Sequence, residues 1–188
     1  MHAIRTSILT HLSRPTEDRI IYRTIRRSKA QRILEIGLDS GERGLRMIEV
    51  ASQGRDSKTV QYIGIDPFEN RSLLDGPRFP IQAVYKSLST TGAQIRLLPG
   101  RPDVAVSRLA NLSSHLDLIV IATRQTEWLR TMAPLLQSLL SRQGHILLGS
   151  PRFLGGPFSF RKLEETIGRL ESTPSLAQGR DASPCRAS

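Results

Sequence analysis

Cysteine is nearly absent from this chain: its one cysteine, Cys185, lies in a polar C-terminal stretch. A single thiol cannot close an internal disulfide or build a four-thiolate metal site, so the sequence fits a reducing interior. Long apolar runs are missing too. No stretch approaches the ~20 residues that span a bilayer, and Met1 to Leu12 holds no apolar run suited to a secretory signal. These absences predict a cytoplasmic protein with no membrane partner. Aromatic residues make up only 5% of the chain and rarely stand among its basic residues, so stacking platforms for bases are not evident.

Lysine is scarce in a basic chain. Only Lys29, Lys58, Lys86 and Lys162 are lysines among 27 basic residues, and the other 23 are arginines. Against 17 acids they leave a net charge of +10. A positive field of this size suits a polyanionic partner such as RNA, and it equally suits an arginine-rich, solvated surface. The 188 residues are enough for one domain with a core of its own.

Hydrophobic patterning predicts an alternation of helices and strands. A helix is expected over Thr16 to Ala30, with Thr16 as cap and Ile20, Ile21, Thr24 and Ile25 facing inward. Arg19, Arg23, Arg26 and Arg27 then face outward, either against RNA or as the wet side of a packing helix. Strands are expected at Arg32–Ile36, Val60–Ile65, Gln94–Leu98, Leu116–Ile121 and Gly144–Leu148. Helices are expected at Gly44–Ala51, Ile81–Ser89, Pro102–Leu112, Glu127–Leu140 and Phe160–Leu170, with a loop over Asp66–Pro80 that has room for one turn of helix. This order predicts a Rossmann-like three-layer α/β/α sandwich with a mostly parallel sheet. Residues 1–30 read as a helical extension, 31–171 as the ligand-binding domain, and 172–188 as a disordered tail.

The segment Leu34-Glu-Ile-Gly-Leu-Asp-Ser-Gly-Glu-Arg-Gly44 follows a strand and opens a helix, the context of a nucleotide-binding glycine loop. Its spacing of Gly37, Gly41 and Gly44 contains no G-x-G. The carboxylate of Glu35, two residues before Gly37, would repel a pyrophosphate and welcome a cationic ligand. Both features disfavour a nicotinamide-dependent oxidoreductase. A second acid, Asp66 in Gly64-Ile-Asp-Pro67, ends the second strand, where a carboxylate can accept ribose hydroxyls.

Together these motifs resemble the class I S-adenosylmethionine (SAM)-dependent methyltransferases whose first motif is E-x-G-x-x-x-G, over about 120 residues from Arg32 to Leu148. The resemblance implies SAM as cofactor, held by Glu35, Gly37, Asp39, Gly41, Asp66, Pro67, Gly100, Asp103 and Thr123. Glu35 and the loop would surround the methionine part, and Asp66 would take the ribose. Asp66→Ala is accordingly expected to weaken SAM binding and spare the fold.

The departures from that family matter as much. No carboxylate follows the fourth strand in Ile121-Ala-Thr-Arg-Gln-Thr126, so no catalytic metal is expected, and the motif of amino-group methylation is missing. Leu98-Pro-Gly100-Arg-Pro-Asp103 offers Asp103 only as a displaced adenine contact. The family's usual C-terminal β-hairpin, which follows the last helix, has no apolar residues to build it beyond Glu171. The sheet could then stop at five strands or have its edge completed by a second copy in a homodimer. His115 and His145 read as structural, and no catalytic base is assigned. Trp128 serves either acceptor stacking or helix packing. Two readings stay open: a methyltransferase acting on a small molecule or RNA, and a non-catalytic protein of the same fold that binds a ligand or partner.

Overall fold

Period-two alternation along the strands decides which side chains meet which layer of helices. The structure, a computed structural model, describes residues 16–72, 76–109, 115–151 and 158–163. Six strands are present among them: β1 (Arg32–Ile36), β2 (Gln61–Asp66), β3 (Gln94–Pro99), β4 (Leu116–Ile121), β5 (Leu140–Pro151) and β6 (Phe158–Lys162). The α-helices are α1 (Arg19–Ser28), α2 (Glu42–Ala51), α3 (Ile81–Ser89), α4 (Pro102–Leu109) and α5 (Leu129–Ser138). The strands form one sheet in the order β3-β2-β1-β4-β5-β6. The first five run parallel and β6 runs antiparallel to β5.

Helices cover both faces of this sheet, as a parallel sheet requires. On one face Ile33 of β1, Tyr62 of β2, and Leu118 and Val120 of β4 pack with Ile21, Tyr22 and Ile25 of α1 and Met47 and Ile48 of α2. On the other, Leu34, Ile36, Ile63, Ile65, Ile119 and Ile121 pack with Ala105, Val106 and Leu109 of α4 and Leu136 of α5. Each fully buried aliphatic side chain contributes about 1.5–3 kcal/mol. The inward stripe of α1 is therefore part of the core, which fixes the rotation of that helix.

The expected elements are observed with shifted ends, and two differ in kind. A single 3₁₀ turn, Thr16–Asp18, precedes α1, and the side chain of the expected cap Thr16 lies outside the described residues. The expected strand Gly144–Leu148 begins four residues earlier, directly after α5, and a register shift between Leu116 and Leu118 accommodates it. Within the described residues, the start of the expected helix Phe160–Leu170 is instead strand β6. The physical reason is a two-residue alternation: Phe158 and Phe160 are buried while Arg161 is exposed. The Phe160 ring covers Gly149, its partner on β5, where a Cβ would sit 2.8 Å from a ring carbon. The sheet thus continues past five strands, with β6 of the same chain paired to β5. Residues 164–188, including the expected tail, lie outside the described residues.

Candidate ligand-binding site

The strand order reverses direction between β1 and β4, and a crevice opens there beyond the carboxyl ends of the strands. It encloses about 280 Å³. Three loops form it, following β1, β2 and β4, and a fourth, after β3, closes one side.

The β1 loop turns by left-handed residues: φ is 87° at Gly37, 53° at Asp39 and 83° at Gly41. Gly37 is required by a close approach as well as by its backbone angle. A Cβ there would overlap the Ala122 carbonyl at the end of β4, 2.8 Å from its carbon. Gly41 is the residue before α2, and its carbonyl accepts the Leu45 amide at 3.0 Å.

Beneath this loop lies a buried polar cluster. Glu35 points to the α1–α2 face because its neighbours Leu34 and Ile36 point to the other. Its carboxylate is fully buried and accepts Arg43 Nε at 2.6 Å and the Tyr62 hydroxyl. Arg43 Nη2 also donates to the Gly37 carbonyl at 2.6 Å. Gly44 makes the room, since a Cβ there would sit 2.5 Å from the Tyr62 hydroxyl. Burial pushes the Glu35 carboxyl up, opposed by Arg43 and by the hydrogen bond from Tyr62. Burial, and then the Glu35 charge, hold the Tyr62 hydroxyl well above the usual tyrosine range. Glu35 therefore supports the glycine loop through Arg43 and is not among the residues lining the crevice.

Asp66 is held just as firmly. Its carboxylate accepts the amides of Leu38 at 2.9 Å and Phe68 at 2.7 Å. Arg71 adds Nε at 2.8 Å and a second bond through Nη2, while its Nη1 reaches Asp39 at 2.9 Å. Arg71 is only 3% exposed and lies over the Phe79 ring.

Of the sequence-derived residues, the structure brings Gly37, Asp39, Asp66, Pro67, Asp103 and Thr123 to the crevice wall. Glu35, Gly41 and Gly100 stand behind it. Gly100 has φ 129° and its amide bonds the Asp66 carbonyl at 3.0 Å. Asp103 pairs with Arg101 at 2.8 Å, an exposed contact that lowers the Asp103 carboxyl below its ordinary value. Thr123 Oγ1 accepts the Gln125 amide at 3.3 Å. Trp128 lines the crevice, packs against the second core cluster and donates to the Gln125 carbonyl at 2.7 Å. His115 and His145 do not line it. Sequence reasoning missed Arg71, Asn70, Ser72, Glu127 and Phe158. Phe158 had a signal in the alternation Phe158-Ser-Phe160, and Glu127, expected within a helix, lies in the loop after β4 because α5 begins at Leu129.

The charge of the crevice is unlike that of the chain. Asp39, Asp66, Asp103 and Glu127 line it against Arg71, Arg101 and Arg124, an excess of acid in a chain of net charge +10. Among the described residues no group of three His, Cys, Asp or Glu could hold a metal ion, and no helix is long and apolar enough to cross a membrane.

No protein-family model matches the chain, and no curated protein matches its sequence. Solved structures match its fold. One is the Podospora anserina methyltransferase PaMTH1 bound to S-adenosylhomocysteine (SAH), at 23% identity and a TM-score of 0.52, covering 78% of this chain and 61% of that one. The O-methyltransferase TomG of Streptomyces achromogenes, in complex with SAM, has 12% identity and a TM-score of 0.55, covering 94% and 71%. An O-methyltransferase of Bacillus cereus with SAH has 13% identity and a TM-score of 0.56, covering 74% and 58%. The chain spans less than two thirds of the Podospora and Bacillus structures. The fold is that of SAM-dependent O-methyltransferases, a Rossmann-like α/β sandwich.

Proposed function

We propose that this chain is a class I methyltransferase of the E-x-G-x-x-x-G type that binds SAM in the crevice and methylates an acceptor, a small molecule or RNA. One observation carries the reading: a crevice at the strand-order reversal, walled by a left-handed glycine loop and lined by one more carboxylate than guanidinium in a strongly basic chain. Carboxylates there favour a ligand bearing a sulfonium and an ammonium over one bearing a pyrophosphate. The matched folds whose structures hold SAM or SAH support the same class of ligand.

The residues fit this cofactor by type. Asp39 offers a partly exposed carboxylate and Asp66 one reached only by exchange with Arg71, Gly37 offers close backbone approach, and Thr123, Gln125 and Trp128 form the wall at the end of β4. When bound, SAM supplies an activated methyl group on a sulfonium. The chain's own contribution is orientation and exclusion of water, effects that reach about 7–11 kcal/mol in well-aligned systems. The protein is assigned to the cytoplasm. A second reading, ligand binding without turnover, is favoured by the saturation of Asp66 by Arg71.

The experiment is incubation with methyl-labelled SAM, total RNA and a panel of small hydroxyl and carboxyl acceptors. Label in any acceptor supports the methyltransferase. SAM retained with label nowhere else supports the second reading, and no retained SAM overturns both.

A further inference from the structure

We infer that the exposed face of α1 is a docking surface for the phosphate backbone of RNA. This surface is separate from the crevice and does not rest on the proposed activity. Helix α1 runs Arg-Ile-Ile-Tyr-Arg-Thr-Ile-Arg-Arg-Ser and contains no acid. Ile21, Tyr22, Thr24 and Ile25 are buried, so core packing fixes the opposite face outward. That face carries Arg23, Arg26, Arg27 and Lys29, all exposed, with Arg19 half-buried above them.

Helix electrostatics alone do not account for this pattern. Arg26 and Arg27 lie in the last turn, where cations favour the helix dipole. Arg19 lies in the first turn, where the dipole opposes a cation, and Arg23 lies mid-helix, where the dipole gives it no support. Arg19–Arg23, Arg23–Arg26 and Arg23–Arg27 are also like-charged neighbours at three- and four-residue spacing, each costing about 0.2–0.5 kcal/mol. A polyanion laid along this face would offset that repulsion.

A second observation extends the surface. Where α1 ends, a notch of about 210 Å³ is lined by Arg26, Lys29 and Arg55 together with small, apolar and amide residues, and by no acid. Arg55 Nη1 donates to the Lys29 carbonyl at 3.4 Å, which brings its guanidinium to the notch. Guanidinium groups match phosphate oxygens by paired hydrogen bonds. An anionic membrane fits less well. The exposed large hydrophobic residues among those described are Tyr85 and Val104, and neither lies on α1 to enter a bilayer. Lys29 and Arg55 precede β1 and β2, at the end of the sheet away from the crevice, so bound RNA leaves the crevice open.

The test is fluorescence anisotropy of a labelled oligouridylate with the full chain over a range of salt concentrations. It compares the wild type with Arg23→Gln/Arg26→Gln/Arg27→Gln and with a control of equal charge change, Arg108→Gln/Arg130→Gln/Arg142→Gln. The α1 variant is expected to bind at least about tenfold more weakly, with a log–log salt slope reduced by about 2, from ~0.7 per lost phosphate contact. The control should lose less than about threefold, and Arg23→Lys/Arg26→Lys/Arg27→Lys should retain most binding, because charge persists when the fork is lost. Equal losses in both glutamine variants, or no RNA binding by the wild type, would overturn the inference. Binding to phosphatidylserine vesicles in preference to RNA would overturn it in favour of a membrane.

Discussion

Arg71 closes the carboxylate of Asp66: its Nε lies 2.8 Å from Oδ1, its Nη2 bonds Oδ2, and the amides of Phe68 and Leu38 take one further position on each oxygen. A carboxylate offers about four acceptor sites, and all are filled. Ribose hydroxyls can reach Asp66 only by exchanging with Arg71. Arg71→Ala leaves the buried Asp66 carboxylate without its charge partner and should lower stability by about 3–5 kcal/mol. In the folded variant, binding of adenosine should tighten by up to about tenfold, or ~1.4 kcal/mol. The substitution should also widen the affinity gap between adenosine and its 2′,3′-dideoxy analogue. A gap identical to the wild type, measured by titration calorimetry, would show that hydroxyls do not compete with Arg71.

Asp66→Ala has a different consequence from the one its place at a strand end suggests. It leaves a nearly buried guanidinium with Asp39 as its remaining carboxylate partner and orphans two amides, which costs about 3–5 kcal/mol. The variant is therefore expected to lose stability, and loss of ligand by it would not by itself locate the site. Urea denaturation checks this. A midpoint equal to the wild type would contradict the arrangement around Arg71.

Gly37 and Gly41 have similar backbone angles and unequal surroundings. At Gly37 a Cβ collides with the Ala122 backbone carbonyl; at Gly41 its closest neighbour is a methyl of Val84 at 3.0 Å, a much smaller overlap. Gly37→Ala should cost at least about 4 kcal/mol, and Gly41→Ala about 1–2 kcal/mol from backbone strain. Thermal melting of the two variants should rank them in that order.

Asp18 is 4% exposed, and burial raises its carboxyl above the ordinary value, with Arg43 and Arg46 opposing. The folded chain binds this proton more tightly than the unfolded chain, so stability drains away as pH rises from about 4 through the raised value. Asp18→Asn removes that loss. The Tm of the variant relative to the wild type should climb between about pH 4 and pH 7, and a constant or falling difference would contradict the assignment.

Sequence periodicity revealed the five parallel strands because each is a short apolar run between turn residues, and strands β1 and β4 are observed at the expected bounds. The sixth strand was hidden. Phe158, Ser159 and Phe160 carry the alternation, but the apolar residues after them suggested a helix. Asp66 and the glycine loop were legible from their place at strand ends. The partner of Asp66 was not, because Arg71 follows a single 3₁₀ turn, Phe68–Asn70, too short to leave a periodic residue pattern. Glu35 was legible as a charge beside the loop, yet only the packing of Gly44 against Tyr62 shows that it faces inward.

The most direct measurement of the central claim, that the crevice is a SAM-type site, is calorimetric titration of the chain with SAM, SAH and NADH in parallel. Binding of both sulfur compounds with none of NADH is the predicted result. Binding of NADH, or of neither SAM nor SAH, would contradict it.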